Sequence, residues 1–433
     1  MEDITEFINQ LNSVVTKTVT TETTTSKETE ITAPIKKIKI LMVSTHINQS
    51  NGYSKVTYNI IKELTKNKWI TLVHFATHVL VSGDIGRKYP SSVKVINTSD
   101  KKNGFAFSEI NSAVTSEKPD IVFIYNDMSS ICNYVEELRK IPRSFKIWAY
   151  LDITYKSPPQ QMIDNINRDV ERIFCFTKTW KDELKIAGFT RPIVIMNHGL
   201  DSSIFPIPKE LARQTLGLPN DVFLYTSLNK NIPRKRLDVL VMSFAKLIVR
   251  FPTKQLFMLI VSDLGKHGGF SLFDIFAREI TLAGGEIDHY GNRLLITSKD
   301  TCYKDDDINV LYNCGDAGVS CADGEGFGLC TFEQMSLGIP QIVPDMNGYT
   351  EYCNQDNSLM IKPSHRYYIP MAYNVSGEAQ MVDPEDVSKA MEKYAFDENL
   401  RKLHGKLCME KIKEYRWEKC CEILVKRLES MDE

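Results

Sequence analysis

The sequence lacks the features that would place the protein in a membrane or on a secretory route. No apolar run approaches the roughly 18 residues that a membrane-spanning helix needs. The first residues contain no basic region followed by an apolar stretch, which is the pattern of a secretory signal. We therefore expect a cytoplasmic protein without a transmembrane segment, while peripheral contact with a membrane through a surface patch stays open.

Cysteine spacing and net charge argue against a protein stabilised by zinc or disulfides and against a protein that binds nucleic acids through its overall charge. The ten cysteines are scattered and include no Cys-x2-Cys pair, so we expect neither a zinc ligand set nor a disulfide framework. The 53 Lys and Arg residues nearly balance the 55 Asp and Glu residues, and the formal net charge is −2. Nucleic-acid binding through a global basic field is therefore not expected.

Length and composition indicate a multidomain globular chain with a separate N-terminal tail. The 433 residues favour two or three domains. Residues 1–35 form a low-complexity tail in which Thr16–Thr32 is rich in Thr, Glu, Lys and Ser, so this tail cannot bury enough apolar surface to fold. Within the tail, Ile4–Val15 has the apolar spacing of a short amphipathic helix.

Apolar runs alternate with amphipathic segments along the rest of the chain. Near-continuous apolar runs are typical of strands covered on both faces, and their alternation with helices predicts doubly wound parallel sheets. The clearest runs are Ile38–Ser44, Asp120–Tyr125, Lys146–Leu151, Arg172–Phe176, Val222–Leu228 and Leu256–Val261. The segment 354–384, by contrast, has the composition of a loop-rich insertion.

The segment Ala322–Glu333 organises the candidate site. It follows an apolar run, Ala317–Cys321, and leads into a predicted helix, Leu329–Leu337, with glycines at alternate positions before that helix. Such glycines let the backbone turn and approach a ligand, and the helix N-terminus favours an anion. Glu325 lies eight residues before Glu333, on the order of 10 Å along a helix. This offset suits an elongated ligand with a central phosphate.

A second segment carries basic residues between a predicted strand and a predicted helix. It is Asn229–Arg236, which follows Val222–Leu228 and precedes Leu237–Arg250. Ligands of open α/β sheets bind at the carboxyl ends of the strands, so this loop lies on the phosphate side of the domain. A charge run is usually a solvated face, but this position favours diphosphate binding. The basic residues are Lys230, Arg234, Lys235 and Arg236.

The segment with the two glutamates resembles a known family. In its strand–loop–helix setting it is similar to the E-x7-E segment of retaining glycosyltransferases of the family-4 (group 1) type. The matching residues are Glu325, Gly326, Phe327, Gly328, Leu329 and Glu333. The resemblance implies a GT-B architecture, in which two Rossmann-like domains face each other across a cleft. We expect an acceptor-side domain at 36–203, a nucleotide-sugar domain at 204–398, and a C-terminal helix over 399–433 that packs back on the first domain from Trp417 onward.

The resemblance also implies roles for individual residues toward a nucleotide-diphosphate sugar. Glu333 would hold the ribose hydroxyls, and Glu325 would hold hydroxyls of the transferred sugar and stabilise positive charge on it. The leaving diphosphate would be stabilised by Lys235 together with neighbouring basic groups and helix N–H groups. The other donor-binding residues would be Lys230, Arg234, Gly326, Phe327, Gly328, Leu329 and Gly52.

No metal and no separate cofactor is expected beside the donor. The triplet Asp305-Asp306-Asp307 contains the D-x-D pattern with which some other glycosyltransferases hold a metal. We interpret this triplet as negative charge at a helix N-terminus, because basic residues are already available for the phosphates.

Three positions depart from the family pattern. Lys230 stands where relatives usually have arginine, Asp152 stands near a position where many carry histidine, and the loop at Gly52 has fewer glycines. Asp152 would either orient the acceptor hydroxyl as a catalytic residue or cap a turn before Pro158. His198 is either a site residue or an ordinary loop histidine.

The function that the resemblance implies is retaining transfer of a hexosyl-type sugar to a hydroxyl of a glycan, lipid or protein acceptor. One alternative is another enzyme of the same fold, such as a nucleotide-sugar epimerase or hydrolase. The other is a non-catalytic protein that binds nucleotide sugars or glycans, for which the three departures leave room. The donor sugar, the base, the acceptor and the oligomeric state have no signature in the sequence.

Overall fold

The computed structural model describes residues 36–78, 85–98, 104–262, 269–297, 303–370 and 375–431. The predicted tail at 1–35, with its amphipathic helix Ile4–Val15, lies outside the described residues. From Lys37 onward the described chain belongs to one structural unit.

A parallel sheet with helices between its strands occupies the first half of this unit. The strands are β1 (Ile38–Thr45), β2 (Ile70–Thr77), β3 (Lys94–Asn97), β4 (Ile121–Asp127), β5 (Lys146–Asp152), β6 (Arg172–Cys175) and β7 (Ile193–Ile195). The helices are α1 (Gly52–Leu64), α2 (Ile110–Glu117), α3 (Met128–Leu138), α4 (Gln160–Asp169) and α5 (Lys178–Ile186). The strand order is β3-β2-β1-β4-β5-β6-β7, so the order reverses between β1 and β4.

A second parallel sheet follows. Its strands are β8 (Phe223–Leu228), β9 (Leu256–Val261), β10 (Leu294–Ile296), β11 (Ala317–Val319), β12 (Gln341–Pro344) and β13 (Ser358–Ile361). The helices of this region are α6 (Lys209–Leu216), α7 (Leu237–Arg250), α8 (Leu272–Leu282), α9 (Ile287–Tyr290), α10 (Asp305–Asn313) and α11 (Leu329–Ser336). The strand order is β10-β9-β8-β11-β12-β13, which reverses between β8 and β11.

Two parallel sheets of this kind confirm the predicted GT-B fold class of two Rossmann-like domains. The apolar runs of the sequence are the strands of the structure because both faces of each sheet are covered. In β4, for example, every residue from Ile121 to Asn126 is buried. The domain boundaries at 203 and 398 stay predictions.

The prediction of a loop-rich insertion at 354–384 is wrong. Ser358–Ile361 adds β13 to the second sheet, and β14 (His365–Ile369) pairs antiparallel with β15 (Gly377–Met381) as a separate hairpin. The hairpin has no apolar run because β14 is largely exposed. Its strands are stabilised by pairing with each other, a contact that composition does not reveal.

Helix α1 includes Gly52, which the sequence analysis assigned to a loop. Gly52 is the first residue of the helix because Asn51 caps it by accepting a hydrogen bond from the Ser54 N–H. Such a cap satisfies one of the free N–H groups of the first turn, so the helix can start at a glycine.

The chain ends in helices α12 (Pro384–Phe396), α13 (Glu398–Ile412) and α14 (Trp417–Glu429). Helix α14 begins at Trp417, as predicted, and packs against α1 of the first sheet. The Leu200 N–H donates to the carbonyl of Tyr415 at 3.0 Å, which fixes the start of α14 on the chain that leaves the first sheet. Within the described part of the chain, no helix is long and apolar enough to cross a membrane.

Gly199 is the tightest point of this crossing. A Cβ added at Gly199 would lie 2.3 Å from the backbone nitrogen of Trp417. We therefore expect Gly199→Ala to lower the free energy of unfolding by about 1–3 kcal/mol through overpacking, measured by thermal or urea unfolding. The matched control is Gly291→Ala, because the nearest atoms to an added Cβ there are 4.0 Å away. Equal unfolding midpoints for the two variants would contradict this packing.

Candidate functional site

The switch point of the second sheet brings the basic loop and the glutamate loop together. Strands β8 and β11 are neighbours, so the loops that follow them meet at one sheet edge. Lys235 Nζ donates to Oε2 of Glu325 at 2.5 Å, and Arg234 Nη1 donates to the same oxygen at 3.2 Å. The backbone joins the loops as well, because the Asp323 N–H donates to the Arg234 carbonyl at 2.9 Å.

The Glu325 carboxylate is charged although it is buried. Only 8% of Glu325 is exposed. Burial by itself would raise the pKa of this carboxyl, but the charges of Lys235 and Arg234 outweigh burial and hold the pKa below its ordinary value. The site therefore contains a buried anion with two cations within hydrogen-bond distance.

The glycines of the glutamate loop allow close approach between the two sheets. A Cβ on Gly326 would lie 2.2 Å from Oδ1 of Asp152, and the indole N–H of Trp180 donates to the Gly326 carbonyl at 2.7 Å. Gly328 has φ of +86°, a left-handed conformation, immediately before α11. Such a conformation favours glycine, which allows the chain to turn into the helix.

Gly52 and the residues next to Gly328 also lie where the two sheets approach each other. A Cβ on Gly52 would lie 3.0 Å from Cδ1 of Leu329, so the start of α1 faces the start of α11. Phe327 is 2% exposed and packs against Phe332 and Tyr352. The side chain of Phe327 is therefore part of the core, and its carbonyl accepts a hydrogen bond from the Tyr352 hydroxyl at 2.6 Å.

Asp152 is the acidic residue of the first sheet that faces the glutamate loop. Its Oδ2 accepts a hydrogen bond from the Tyr53 hydroxyl at 2.5 Å. Burial raises the pKa of Asp152 to about 6, against the opposing effects of the Tyr53 hydrogen bond and the Arg234 charge. The Asp152 carboxylate thus lies between Tyr53 of α1 and Gly326 of the glutamate loop.

Glu333 has two partners that the sequence analysis did not predict. Lys55 Nζ on α1 donates to its Oε1 at 2.8 Å, and the Tyr312 hydroxyl on α10 donates to its Oε2 at 2.9 Å. Burial opposes the charge of Lys55, yet Glu333 and nearby carboxylates raise its pKa above the ordinary value. The oxygens expected to hold ribose are therefore occupied by side chains in this closed arrangement.

A second ion pair also joins the regions of the two sheets. Arg87 forms a bidentate contact with Asp305, with Nε to Oδ2 at 2.8 Å and Nη2 to Oδ1 at 2.7 Å. Arg87 also donates to the carbonyl of Ile47 and to the hydroxyl of Ser54. Asp305 begins α10, so the predicted helix N-terminal position of the acidic triplet is confirmed. Within the described residues, no group of three or more His, Cys, Asp or Glu side chains could hold a metal ion.

Lys230 is not brought to Glu325. Its side chain is exposed, and the structure gives it no hydrogen bond or ion pair among the described residues. The turn Pro233–Lys235 instead directs Arg234, together with Lys235, at the carboxylate. Of the two basic residues that the sequence analysis assigned to the donor together with Lys235, Arg234 lies beside Glu325 and Lys230 does not.

His198 is an aromatic core residue of this region. It is 2% exposed, and its ring lies 4.3 Å from that of Phe176 and 4.7 Å from that of Phe327, centroid to centroid. Burial lowers the pKa of His198 to about 3, so the imidazole is neutral near pH 7. The ring is neutral and packs among aromatic side chains, and neither of its buried nitrogens has a hydrogen-bond partner among the described residues.

Lys55, Tyr312, Tyr53 and Arg87 are the residues of this site that sequence reasoning missed. A weak signal exists for Lys55, which lies on the buried face of the amphipathic α1, where lysine is unusual unless it is paired. Tyr53 and Arg87 have partners 99 and 218 positions away in the chain. Tyr312 lies 21 positions before Glu333, and its residue type alone does not indicate a contact with a carboxylate.

Comparison with known proteins supports the fold. No protein-family model and no curated protein matches the sequence. Sucrose-phosphate synthase from Thermosynechococcus elongatus is 13% identical with a TM-score of 0.68, and the match covers 91% of this chain and 99% of that one. Anabaena HepE in complex with UDP and glucose is 14% identical with a TM-score of 0.65, over 91% and 100%. The UDP-forming α,α-trehalose-phosphate synthase from Burkholderia xenovorans, in complex with glucose-6-phosphate, is 13% identical with a TM-score of 0.62, over 90% and 99%.

These structures share the two-sheet GT-B fold with this chain. At such low identity the likeness concerns the fold alone, and residue roles rest on the geometry of the site.

The buried pair of Lys55 and Glu333 is open to a direct test. Lys55→Met leaves Glu333 buried with only the Tyr312 hydroxyl, so we expect it to lower the free energy of unfolding by about 3–5 kcal/mol. The double variant Lys55→Met/Glu333→Gln removes both charges and should recover part of this loss, as urea unfolding would measure.

The matched control is Lys178→Met, which removes a lysine from an exposed pair with Asp182 on α5. We expect this control to unfold like the wild type. Equal destabilisation by Lys55→Met and Lys178→Met would contradict the buried pair.

Proposed function

We propose that the protein is a retaining, metal-independent glycosyltransferase of the cytoplasm. It moves a hexosyl group from a nucleotide-diphosphate sugar to an acceptor hydroxyl. The observation that carries the proposal is the convergence of Lys235, Arg234 and buried Glu325 at the switch point of the second sheet. This arrangement provides cations for a diphosphate beside a carboxylate for sugar hydroxyls. The family resemblance and the shared fold support the same assignment.

The cations stabilise the leaving group in this proposal. Negative charge develops on the diphosphate as its bond to the sugar breaks, and preorganised positive charge at that place lowers the barrier. When the phosphates take over Lys235 and Arg234, the Glu325 carboxylate is released to bind sugar hydroxyls and to stabilise the cationic sugar centre. The acceptor oxygen bonds to this centre on the face from which the diphosphate departs, and the acceptor proton passes to a phosphate oxygen.

Binding of the nucleotide requires a change in the partners of Glu333. The ribose hydroxyls would replace the Lys55 ammonium and the Tyr312 hydroxyl, which occupy both carboxylate oxygens. The contact of Arg87 with Asp305 joins the same regions of the two sheets. Donor binding is therefore coupled to opening of the interface between the sheets.

A UDP-sugar is the first donor to test. Among the proteins of similar fold, HepE was solved with UDP and glucose, and the Burkholderia enzyme is UDP-forming. A screen of UDP-, GDP- and ADP-sugars, read by binding and by slow donor hydrolysis, distinguishes the base. A nucleotide-sugar epimerase would change the sugar without releasing nucleotide, and a binding protein would take up the donor without turnover.

Substitution of Lys235 or Glu325 should lower the turnover of the donor. Lys235→Ala removes charge from the leaving group, and Glu325→Ala removes the partner of the sugar, so each should lower turnover about 10²–10³-fold. Turnover of the wild type should persist in EDTA.

The matched control for these variants is Lys254→Ala, which removes an exposed lysine that contacts Phe396 in the same region of the chain. Loss of turnover in this control, or a requirement for added metal, would contradict the assignment.

Asp152 predicts a specific pH dependence. An ionised carboxylate is a stronger hydrogen-bond acceptor for a hydroxyl than a protonated carboxyl group. Burial raises the pKa of Asp152 to about 6. Transfer should therefore fall as pH decreases through about 6, because Asp152 becomes protonated. Glu325 has a lowered pKa and stays ionised across this range.

The pH profile of kcat/KM would measure this limb, and Asp152→Asn should flatten it. An identical acid limb in wild type and variant would assign the titration to another group.

A further inference from the structure

We propose that Asp323 and the hairpin of β14 and β15 form a clamp that holds the β5–α4 loop (residues 153–159) against the glutamate loop, with Asp323 as its positioning residue. The β5–α4 loop belongs to the first sheet, whereas the hairpin follows the last strand of the second sheet. The clamp is a property of the fold, and only its effect on sugar transfer rests on the proposed function.

The outer edge of β15 binds segments of both sheets. Successive residues of a paired strand direct their N–H groups to opposite edges, so alternate N–H groups of β15 face away from β14. The Glu378 N–H donates to the carbonyl of Lys156 in the β5–α4 loop at 2.9 Å. The Gln380 N–H donates to the carbonyl of Asp323, two residues before Glu325, at 2.9 Å. One strand edge thus joins the loop of the first sheet to the glutamate loop.

The Asp323 carboxylate makes the same connection through its side chain. Its Oδ1 accepts a hydrogen bond from the Tyr155 hydroxyl of the β5–α4 loop at 2.8 Å, and its Oδ2 accepts one from the Tyr367 hydroxyl of β14. Arg236 Nη1 donates to the Tyr367 oxygen at 3.4 Å, which leaves the proton of that hydroxyl for Asp323. The two oxygens of one carboxylate therefore join the first sheet to the hairpin.

Asp323 depends on these two hydroxyls because it is buried without an ion pair. It is 2% exposed, and among the described residues it forms no salt bridge. Burial raises the pKa of Asp323, and the two tyrosine hydrogen bonds and the charges of Arg236 and Arg234 oppose this rise. A buried carboxylate without a directly bonded cation needs hydrogen-bond donors, so the clamp and the ionised form of Asp323 stabilise each other.

Two glycines let the three segments approach each other closely. A Cβ at Gly377 would lie 2.2 Å from the carbonyl oxygen of Lys156, and the φ of +137° at Gly377 is one that favours glycine. A Cβ at Gly324 would lie 2.3 Å from Cε1 of Tyr155. The ring of Tyr155, which is 4% exposed, therefore packs directly on the residue before Glu325.

These contacts fix two carboxylates of the site relative to each other. Asp152 precedes Tyr155 by three residues, and Glu325 follows Asp323 by two. The hydrogen bond from Tyr155 to Asp323 therefore crosses between the sheets close to both carboxylates, and the hairpin holds it there through Tyr367. Release of the hairpin would let the β5–α4 loop move away from the glutamate loop and carry Asp152 with it.

Amide hydrogen exchange of the full-length protein tests the clamp without any substrate. The N–H groups of Glu378 and Gln380 should be protected, because both are bonded outside the hairpin. Tyr367→Phe removes one hydrogen bond from Asp323, so we expect exchange at both amides to rise about fivefold or more, while the amides of β4 keep their protection. Tyr155→Phe should have the same effect from the side of the first sheet.

The matched control is Tyr368→Phe. Tyr368 is the next residue on β14, it is 66% exposed, and its hydroxyl makes an exposed contact with the Glu378 carboxylate at 3.4 Å. We expect wild-type exchange in this control. Unprotected Glu378 and Gln380 amides in the wild type, or equal exchange in Tyr367→Phe and Tyr368→Phe, would overturn the proposal.

Substitutions of Asp323 distinguish the clamp from a general loss of stability. Asp323→Asn keeps one acceptor oxygen and Asp323→Ala keeps none, so exchange at Gln380 should rise more in Asp323→Ala. The rise should be confined to the hairpin and the β5–α4 loop. An equal rise throughout the protein would overturn the positioning role.

The pH profile of transfer tests whether the clamp positions Asp152. The titratable and charged groups that act on Asp152 are Tyr53, Arg234, Glu325 and Asp127. Burial is the main cause that raises the pKa of Asp152, and release of the hairpin would admit water. The acid limb of kcat/KM in Tyr367→Phe should therefore move to lower pH by about half a unit or more. A limb that stays in place or moves upward would overturn the positioning role.

Hydrogen exchange and donor turnover separate this inference from the proposed function. Protection that Tyr367→Phe removes, in a protein that turns over no nucleotide sugar, would refute the proposed function and leave the clamp. Donor turnover in a protein whose Glu378 and Gln380 amides are unprotected would refute the clamp and leave the transferase assignment.

Discussion

Compensation of buried negative charge is the constraint on which the structure depends. Glu325 and Glu333 belong to one loop–helix segment, and both lie buried between the two sheets. An isolated carboxylate in such a place would be prohibitively unfavourable, so each needs a cation with good hydrogen-bond geometry. Glu325 takes its cations from the loop after β8, and Glu333 takes Lys55 from the opposite sheet. The candidate site and the closure between the sheets are therefore consequences of the same electrostatic requirement.

This constraint links ligand binding to closure. Within the second sheet, Lys235 and Glu325 can exchange partners with a bound diphosphate and sugar without moving apart the two halves of the protein. Glu333 differs, because its cation reaches it from α1, 278 positions away in the chain. A ligand that replaces Lys55 at Glu333 also removes an attraction between the sheets. The contact between the sheets is thus stabilised by Glu333, which the proposed donor would also bind. Donor binding and separation of the sheets would therefore involve the same contact of Lys55 with Glu333.

The sequence allowed prediction of those features that are local in the chain. The strands β4 and β5 follow from apolar runs, and Lys235 and Glu325, which the resemblance assigned to one ligand, lie within hydrogen-bond distance of each other. Contacts such as that of Arg87 with Asp305, 218 positions apart, depend on how the sheets pack. The hairpin of β14 and β15 was missed because its strands are stabilised by pairing with each other. They therefore lack the apolar run that marks a buried strand. The sequence named Lys230 and Arg234 alike as donor-binding residues, and it did not predict the turn at Pro233–Lys235 that brings Arg234 rather than Lys230 to Glu325.

Glu325 and Asp152 are both carboxylic acids, but their surroundings differ. These surroundings, rather than the residue types, indicate different chemical roles. Two cations hold Glu325 in its charged form, whereas burial beside Tyr53 raises the pKa of Asp152 to about 6. Pairs of acids whose surroundings move their pKa values apart are the usual sign of divided labour in a site. A permanently charged group suits electrostatic stabilisation of a sugar cation. In the proposed function Asp152 orients the acceptor hydroxyl as a hydrogen-bond acceptor, while the proton of that hydroxyl passes to the departing phosphate. A buried carboxylate beside the glutamate loop is therefore compatible with catalysis in the proposed reaction.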